Sequence, residues 1–134
     1  MADPFGTFAA LKNQSLVTSE GNMHFMVEKN FMIALMANRL SSIKLDEAWY
    51  LSRNPDVKEA LKRGVVSSAK EHYVLSGYYE HRMPFPIVVS EKWYLEAYPD
   101  VADAIKNGVY KSGQAHFDVA GYREGRLPFE NFQL

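Results

Sequence analysis

Four residues have the types and the spacing to do chemistry. His72 and His116 stand 44 residues apart, each is followed by an aromatic (Tyr73 or Phe117), and each precedes a glutamate by eight residues, Glu80 or Glu124. Brought together as a symmetric pair, two imidazoles and two carboxylates would make a metal centre or an acid–base couple. Each histidine, however, falls on the apolar stripe of a helix, where an imidazole more often serves as a buried spacer bonded to backbone or to a carboxylate. One histidine per copy also falls short of the three or four protein ligands that zinc takes at local spacing. His24 and His81 add nothing at a useful separation. The expectation is a structural role for both histidines, with no metal and no cofactor. A metal-dependent sensor or enzyme built on the paired histidines and glutamates stands as the minor alternative.

The pair Glu80 and Arg82 recurs as Glu124 and Arg126. Planar guanidinium forks could grip a sugar acid, a phosphate or a carboxylate. They could equally brace a chain turn by bonding backbone carbonyls, helix C-termini, or Asp56 and Asp100. Recurrence in both copies favours the brace, because a repeat keeps what its own fold requires. Trp49 and Trp93 offer flat faces to a pyranose ring, yet large aromatics at matched positions are more often core, worth about 1.5–3 kcal/mol each on burial. Tyr78, Tyr79 and Tyr122 follow a glycine expected to close a helix, and are the first choice for an exposed contact surface. The binding candidates are therefore Tyr78, Tyr79, Arg82, Tyr122 and Arg126. No nucleophile elbow, phosphate-binding glycine loop, HExxH or dinucleotide fingerprint occurs, so no catalytic residue is assigned and no enzyme is expected.

The elements that must position these residues come in two copies. Shifted by 44 residues, the chain matches itself without a gap, with 19 identities over the 39 positions from 47 to 85. Each copy reads as three short helices. The first is capped by Asp46 or Ser90 and stopped by Pro55 or Pro99. The same proline opens the second helix, an aspartate follows in its first turn, and Gly64 or Gly108 ends it. The third is capped by Ser67 or Ser68 in one copy and Ser112 in the other, and closed by Gly77 or Gly121. Ile87-Val88-Val89 is too short to count as a strand. The fold class is all-α: a long N-terminal helix plus two tandem repeats of three short helices each.

The N-terminal segment differs in kind. The run from Asn22 to Leu40 has no proline or glycine and favours helix throughout. Its apolar residues surround most of the cylinder, so it must be covered on several sides, by both repeats or by a second copy of the chain. Phe25, Phe31, Met32 and Met36 are the expected homo-oligomer contacts. The boundaries are a flexible arm at 1–20, a Met-rich helix at 21–43, and repeats at 44–87 and 88–134, in one compact domain overall.

Composition bounds the partners. The 134 residues are 47% hydrophobic and 23% charged, the ordinary globular range, with a net charge of −1. That balance has no basic excess for nucleic acid. Cysteine is absent, which removes disulfides and thiolate chemistry. No apolar run reaches a membrane span, and no N-terminal signal is read, so a cytoplasmic location is expected.

The ordered residues Trp49-Tyr50-Leu51, Asn54-Pro55-Asp56-Val57, Ser68, His72-Tyr73, Gly77, Glu80-His81-Arg82 and Pro84, with their second copy, resemble a bacterial tandem repeat written YL-x-x-NPDV…HY…G-x-x-EGR-x-P. Such repeats occur with glycosyltransferases and rhamnan-synthesis-type proteins and in some surface proteins. His81 stands for the usual glycine and Tyr98 for the usual asparagine. The resemblance implies a non-catalytic helical module, an accessory or adaptor in glycan or cell-envelope biosynthesis that binds a protein partner or a saccharide. The alternative is an oligomeric structural protein assembled through the N-terminal helix.

Overall fold

A computed structural model describes the backbone of residues 15–17 and 25–27 and the whole of residues 28–134. The chain divides into two compact units, residues 1–43 and 44–134, where the sequence reading has one. Each is described by itself.

In the first unit, β1 (Ser15–Val17) pairs antiparallel with β2 (Phe25–Val27), Leu16 facing Met26. Helix α1 then runs from Lys29 to Ser41. Both N-terminal expectations change here. The segment 15–17 is a strand within the expected arm, and the helix begins eight residues later than position 21. The cause of the late start is local: Glu28 keeps an extended backbone and its carboxylate accepts the Phe31 N–H at 3.1 Å, which makes it the N-cap. Phe25-Met26-Val27 is as good a strand as a helix by composition, and pairing with β1 decides it. The rest of the expected arm, and positions 21–24, lie outside the described residues. At the far end the Ser42 hydroxyl donates to the Arg39 carbonyl at 2.6 Å.

The second unit is helical throughout. It holds α2 (Glu47–Arg53), α3 (Pro55–Lys62) and α4 (Ala69–His72), the last continuing as a π-helical turn, Tyr73–Gly77. Then follow α5 (Glu91–Ala97), α6 (Pro99–Lys106) and α7 (Gly113–His116), with a second π-helical turn at Phe117–Gly121. Every bound in the second set lies 44 residues after its counterpart. Asp46 caps α2 through Trp49 N–H, and Ser68 and Ser112 cap α4 and α7. Gly64 and Gly108, at φ +68° and +74°, end α3 and α6 in the left-handed conformation that leaves the next N–H free to reach back to Ala60 or Ala104.

The third helix closes at Gly77 and Gly121 as expected, but neither glycine is left-handed. A turn follows, in which the Glu80 N–H bonds the Ser76 carbonyl, and the left-handed residue is His81 (φ +58°) in one copy and Gly125 (φ +74°) in the other. Gly77 and Gly121 do something else. A side chain on Gly77 would collide with the Tyr50 hydroxyl, and one on Gly121 with the Tyr94 hydroxyl. These glycines let a buried phenol lie directly on the helix backbone. Tyr50, Tyr73, Tyr94 and Phe117 are the largest fully buried side chains. Tyr50 meets Tyr73 edge-on, as Tyr94 meets Phe117, at 5.9 and 6.0 Å between centroids.

Each unit of three helices closes on itself. The Asp46 N–H donates to the Pro84 carbonyl and the Ser90 N–H to that of Pro128, both at 3.0 Å. Between the copies, Ile87 and Val89 are buried without forming a strand. Gln114 holds them: its Oε1 accepts the Val89 N–H at 2.8 Å and its Nε2 donates to the Ile87 carbonyl at 3.0 Å.

Candidate binding cleft

The matched polar residues are engaged within their own copy. Arg82 lays both Nη atoms on the Asp56 carboxylate at 2.9 and 2.8 Å, Nε on Glu80 at 2.6 Å, and Nη1 on Asn54 at 2.9 Å. Arg126 repeats this on Asp100 and Glu124. Where Asn54 helps Arg82, Tyr98 places its ring 4.9 Å from the Arg126 guanidinium and its hydroxyl accepts the Leu127 N–H. The hydrogen bonds hold the carboxylates of Asp56 and Asp100 below the usual range. Of the two roles weighed for these arginines, the geometry shows the brace.

The histidines are bonded to the buried tyrosines. Tyr50 Oη lies 2.9 Å from His72 Nδ1, and Tyr94 Oη lies 2.9 Å from His116 Nδ1. Burial pushes both phenols up to about 12, and burial, with the neighbouring arginine, pulls both imidazoles below their usual value. Both partners therefore stay neutral at pH 7. Phenol and Nδ1 share one hydrogen bond in each copy, and in His116 the other ring nitrogen, Nε2, lies 3.9 Å from Glu124 Oε2. Tyr110 stands edge-on to the His116 ring at 4.9 Å. Among the described residues, no group of three or more histidines and carboxylates is placed to hold a metal ion.

The tyrosines chosen as an exposed surface are half-buried instead. They stand in the turns that follow Gly77 and Gly121 and pack on neighbouring rings. Tyr78 contacts Tyr79 edge-on at 5.3 Å and Tyr73 at 6.4 Å, and Tyr122 contacts Phe117 at 6.0 Å. On α1, Met32 is exposed while Phe31 and Met36 are half-buried. Phe25 sits in β2, and its side chain lies outside the described residues.

A cleft of about 460 Å³ opens between the two copies, lined by Trp49, Arg53, His81, Arg82, Asp118 and Arg123 among others. A second hollow of about 350 Å³ shares Trp49, Arg53 and Asp118 and is floored by Pro86, Ile87 and Val88. Such volumes suit small ligands. Trp49 is half-buried, with the Arg53 guanidinium 5.8 Å over its ring, whereas Trp93 packs on the second core against Tyr98. Arg53 and Arg123 are exposed and, among the described residues, have no carboxylate partner. Asp118 accepts from Gln114 Nε2 at 2.9 Å.

Sequence reasoning singled out Trp49 and Arg82 in this cleft and passed over Arg53, Asp118 and Arg123. The signal for them was a break in the repeat. Position by position, Arg53 corresponds to Ala97, Asp118 to Val74, and Arg123 to Tyr79.

Comparison with known protein families, curated proteins and solved structures returned no match. Among the described residues, no helix is long and apolar enough to cross a membrane.

Proposed function

We propose that this chain is a non-catalytic helical interaction module, with an N-terminal helix and two tandem repeats, whose cleft over Trp49 takes a saccharide. The setting is that of its repeat pattern: an accessory in bacterial glycan or cell-envelope biosynthesis, acting in the cytoplasm. One observation carries the reading. Polar side chains common to both copies, Glu80 and Arg82 of the cleft among them, are tied up in holding the fold. The same cleft also holds a half-buried indole and charged groups, Arg53, Asp118 and Arg123, that the other copy lacks. Arg53, Asp118 and Arg123 break the repeat at the cleft, where a ligand would use them. The same division supports the non-catalytic reading: His72 and His116 are bonded to tyrosines, and Glu80 and Glu124 to arginines.

A glycan array probed with wild-type protein and with Trp49→Ala tests this. Binding that disappears in a folded Trp49→Ala protein supports the saccharide site. Silence across the array overturns it and leaves a protein partner as the reading to pursue.

The exposure of Met32 (39%) favours a second reading, a homo-oligomer built through Phe25, Phe31, Met32 and Met36. Light scattering on wild type and Met32→Glu tests it: a strict monomer in wild type rejects it.

A further inference from the structure

We infer that the cleft between the two copies recognises an acidic saccharide, a pyranose bearing a carboxylate, with Trp49 as the stacking face and Arg53 and Arg123 as the carboxylate readers. This rests on the saccharide reading above and goes further by naming the ligand's charge.

Three guanidiniums line the cleft, and they are not equivalent. That of Arg82 is saturated by Asp56, Glu80 and Asn54, so it has little left to offer a ligand. Those of Arg53 and Arg123 face solvent with no carboxylate partner among the described residues, on positions where the other copy has Ala97 and Tyr79. Arg53 ends α2 and Arg123 follows the second π-helical turn, each with its guanidinium outside the ion pairs of the described residues. A guanidinium presents a planar fork that fits a carboxylate with two parallel bonds. Arg53 also lies over the Trp49 ring, so a sugar stacked on the remaining indole surface brings a ring carboxylate within its reach.

The acidic groups of the cleft fit the same ligand. Glu80 shares the Arg82 guanidinium with Asp56, and Asp118 is held by the Gln114 amide with acceptor capacity remaining. An acceptor beside two free cations suits a molecule with both hydroxyls and a carboxylate. A bare phosphate would meet the guanidiniums but leave Trp49 unused. His81 also lines the cleft, at a position where the other copy has Gly125.

Trigalacturonic acid and its methyl ester share a ring and differ in charge, so they separate the claims. The full chain is titrated with each by calorimetry, while the Trp49 indole N–H is followed by NMR. The acid is expected to move that resonance and to bind about ten-fold or more tightly than the ester. Arg53→Gln and Arg123→Gln, exposed changes that leave the circular dichroism unaltered, are each expected to weaken the acid about five-fold or more and to leave the ester unchanged. Raising the salt should weaken the acid alone. Equal affinity for acid and ester overturns the acidic inference while the saccharide reading stands. Silence of both trimers at millimolar concentration overturns the acidic inference too, and the array result then decides the saccharide reading by itself.

Discussion

The Tyr94 hydroxyl meets Nδ1 of His116 at 2.9 Å directly above Gly121, and Tyr50 with His72 repeats the arrangement above Gly77. Phenol, imidazole and missing side chain form one unit, in which each member explains the other two. The tyrosine can lie on the helix because the glycine is bare, and the histidine satisfies the hydroxyl that arrives there.

Tyr94→Phe leaves a buried imidazole nitrogen without its hydrogen-bond partner and should cost about 1–2 kcal/mol. Gly121→Ala forces the phenol away and should cost about 2–3 kcal/mol. Since the hydroxyl is the nearest obstacle to the new methyl group, the double variant should cost clearly less than the sum. Urea denaturation of the four proteins measures this, and strict additivity would contradict the arrangement.

His81→Gly removes a left-handed strain and should stabilise the second unit by about 0.5–1 kcal/mol, after the added backbone entropy of glycine is counted. For a unit of this size that is a rise of a few degrees in Tm. The same variant should bind acidic sugar less well, so stability and affinity would move in opposite directions. Calorimetry reads both, and a drop in Tm would refute the strain argument.

Arg82→Lys keeps the charge and loses the fork. Lysine cannot span both Asp56 oxygens together with Glu80 and Asn54, so a loss of about 1 kcal/mol is expected, close to that of Arg82→Ala. The measurement is again the urea midpoint. Full stability in the lysine variant would show that charge alone suffices.

Acid should destabilise the second unit in two stages. His72 and His116 sit below their ordinary value of 6.5 when folded, because burial disfavours the imidazolium. The unfolded chain therefore takes up protons first, and stability falls as pH drops through 6.5 toward the lower folded values. A second loss follows as pH drops through 3.8, the ordinary value for Asp56 and Asp100, whose arginines hold them lower in the fold. Tm recorded across this range should show both limbs, and His116→Gln should flatten the upper one. A flat profile between about pH 7.5 and pH 5 would exclude the neutral-imidazole account.

Local punctuation made the short helices legible. Pro55 at the head of α3, Ser68 before α4 and Gly64 after α3 act through their immediate neighbours, so their roles appear in the sequence. Arg82 with Asp56 was legible as one of several braces because both recur. Gly77 was legible as a helix end, but the steric reason for a glycine there lies 27 residues away, in where the Tyr50 ring lands, and no periodicity encodes that. The π-helical turns add one residue to a coil without a compositional mark. Phe25–Val27 failed for a different cause: its residues tolerate both conformations, and a distant partner, Ser15–Val17, selects one. The cleft was hidden because matched positions drew the attention that unmatched ones warranted.

The hydrogen bonds from Asp46 to Pro84 and from Ser90 to Pro128 bring the first and last residues of each helical triplet side by side. A polypeptide whose segments begin where they finish can be lengthened by splicing in another whole segment, without reopening those already present. Growth by duplication then needs no new folding solution, only a fresh seam. Each seam is a place where two segments face each other and where substitutions are free to diverge.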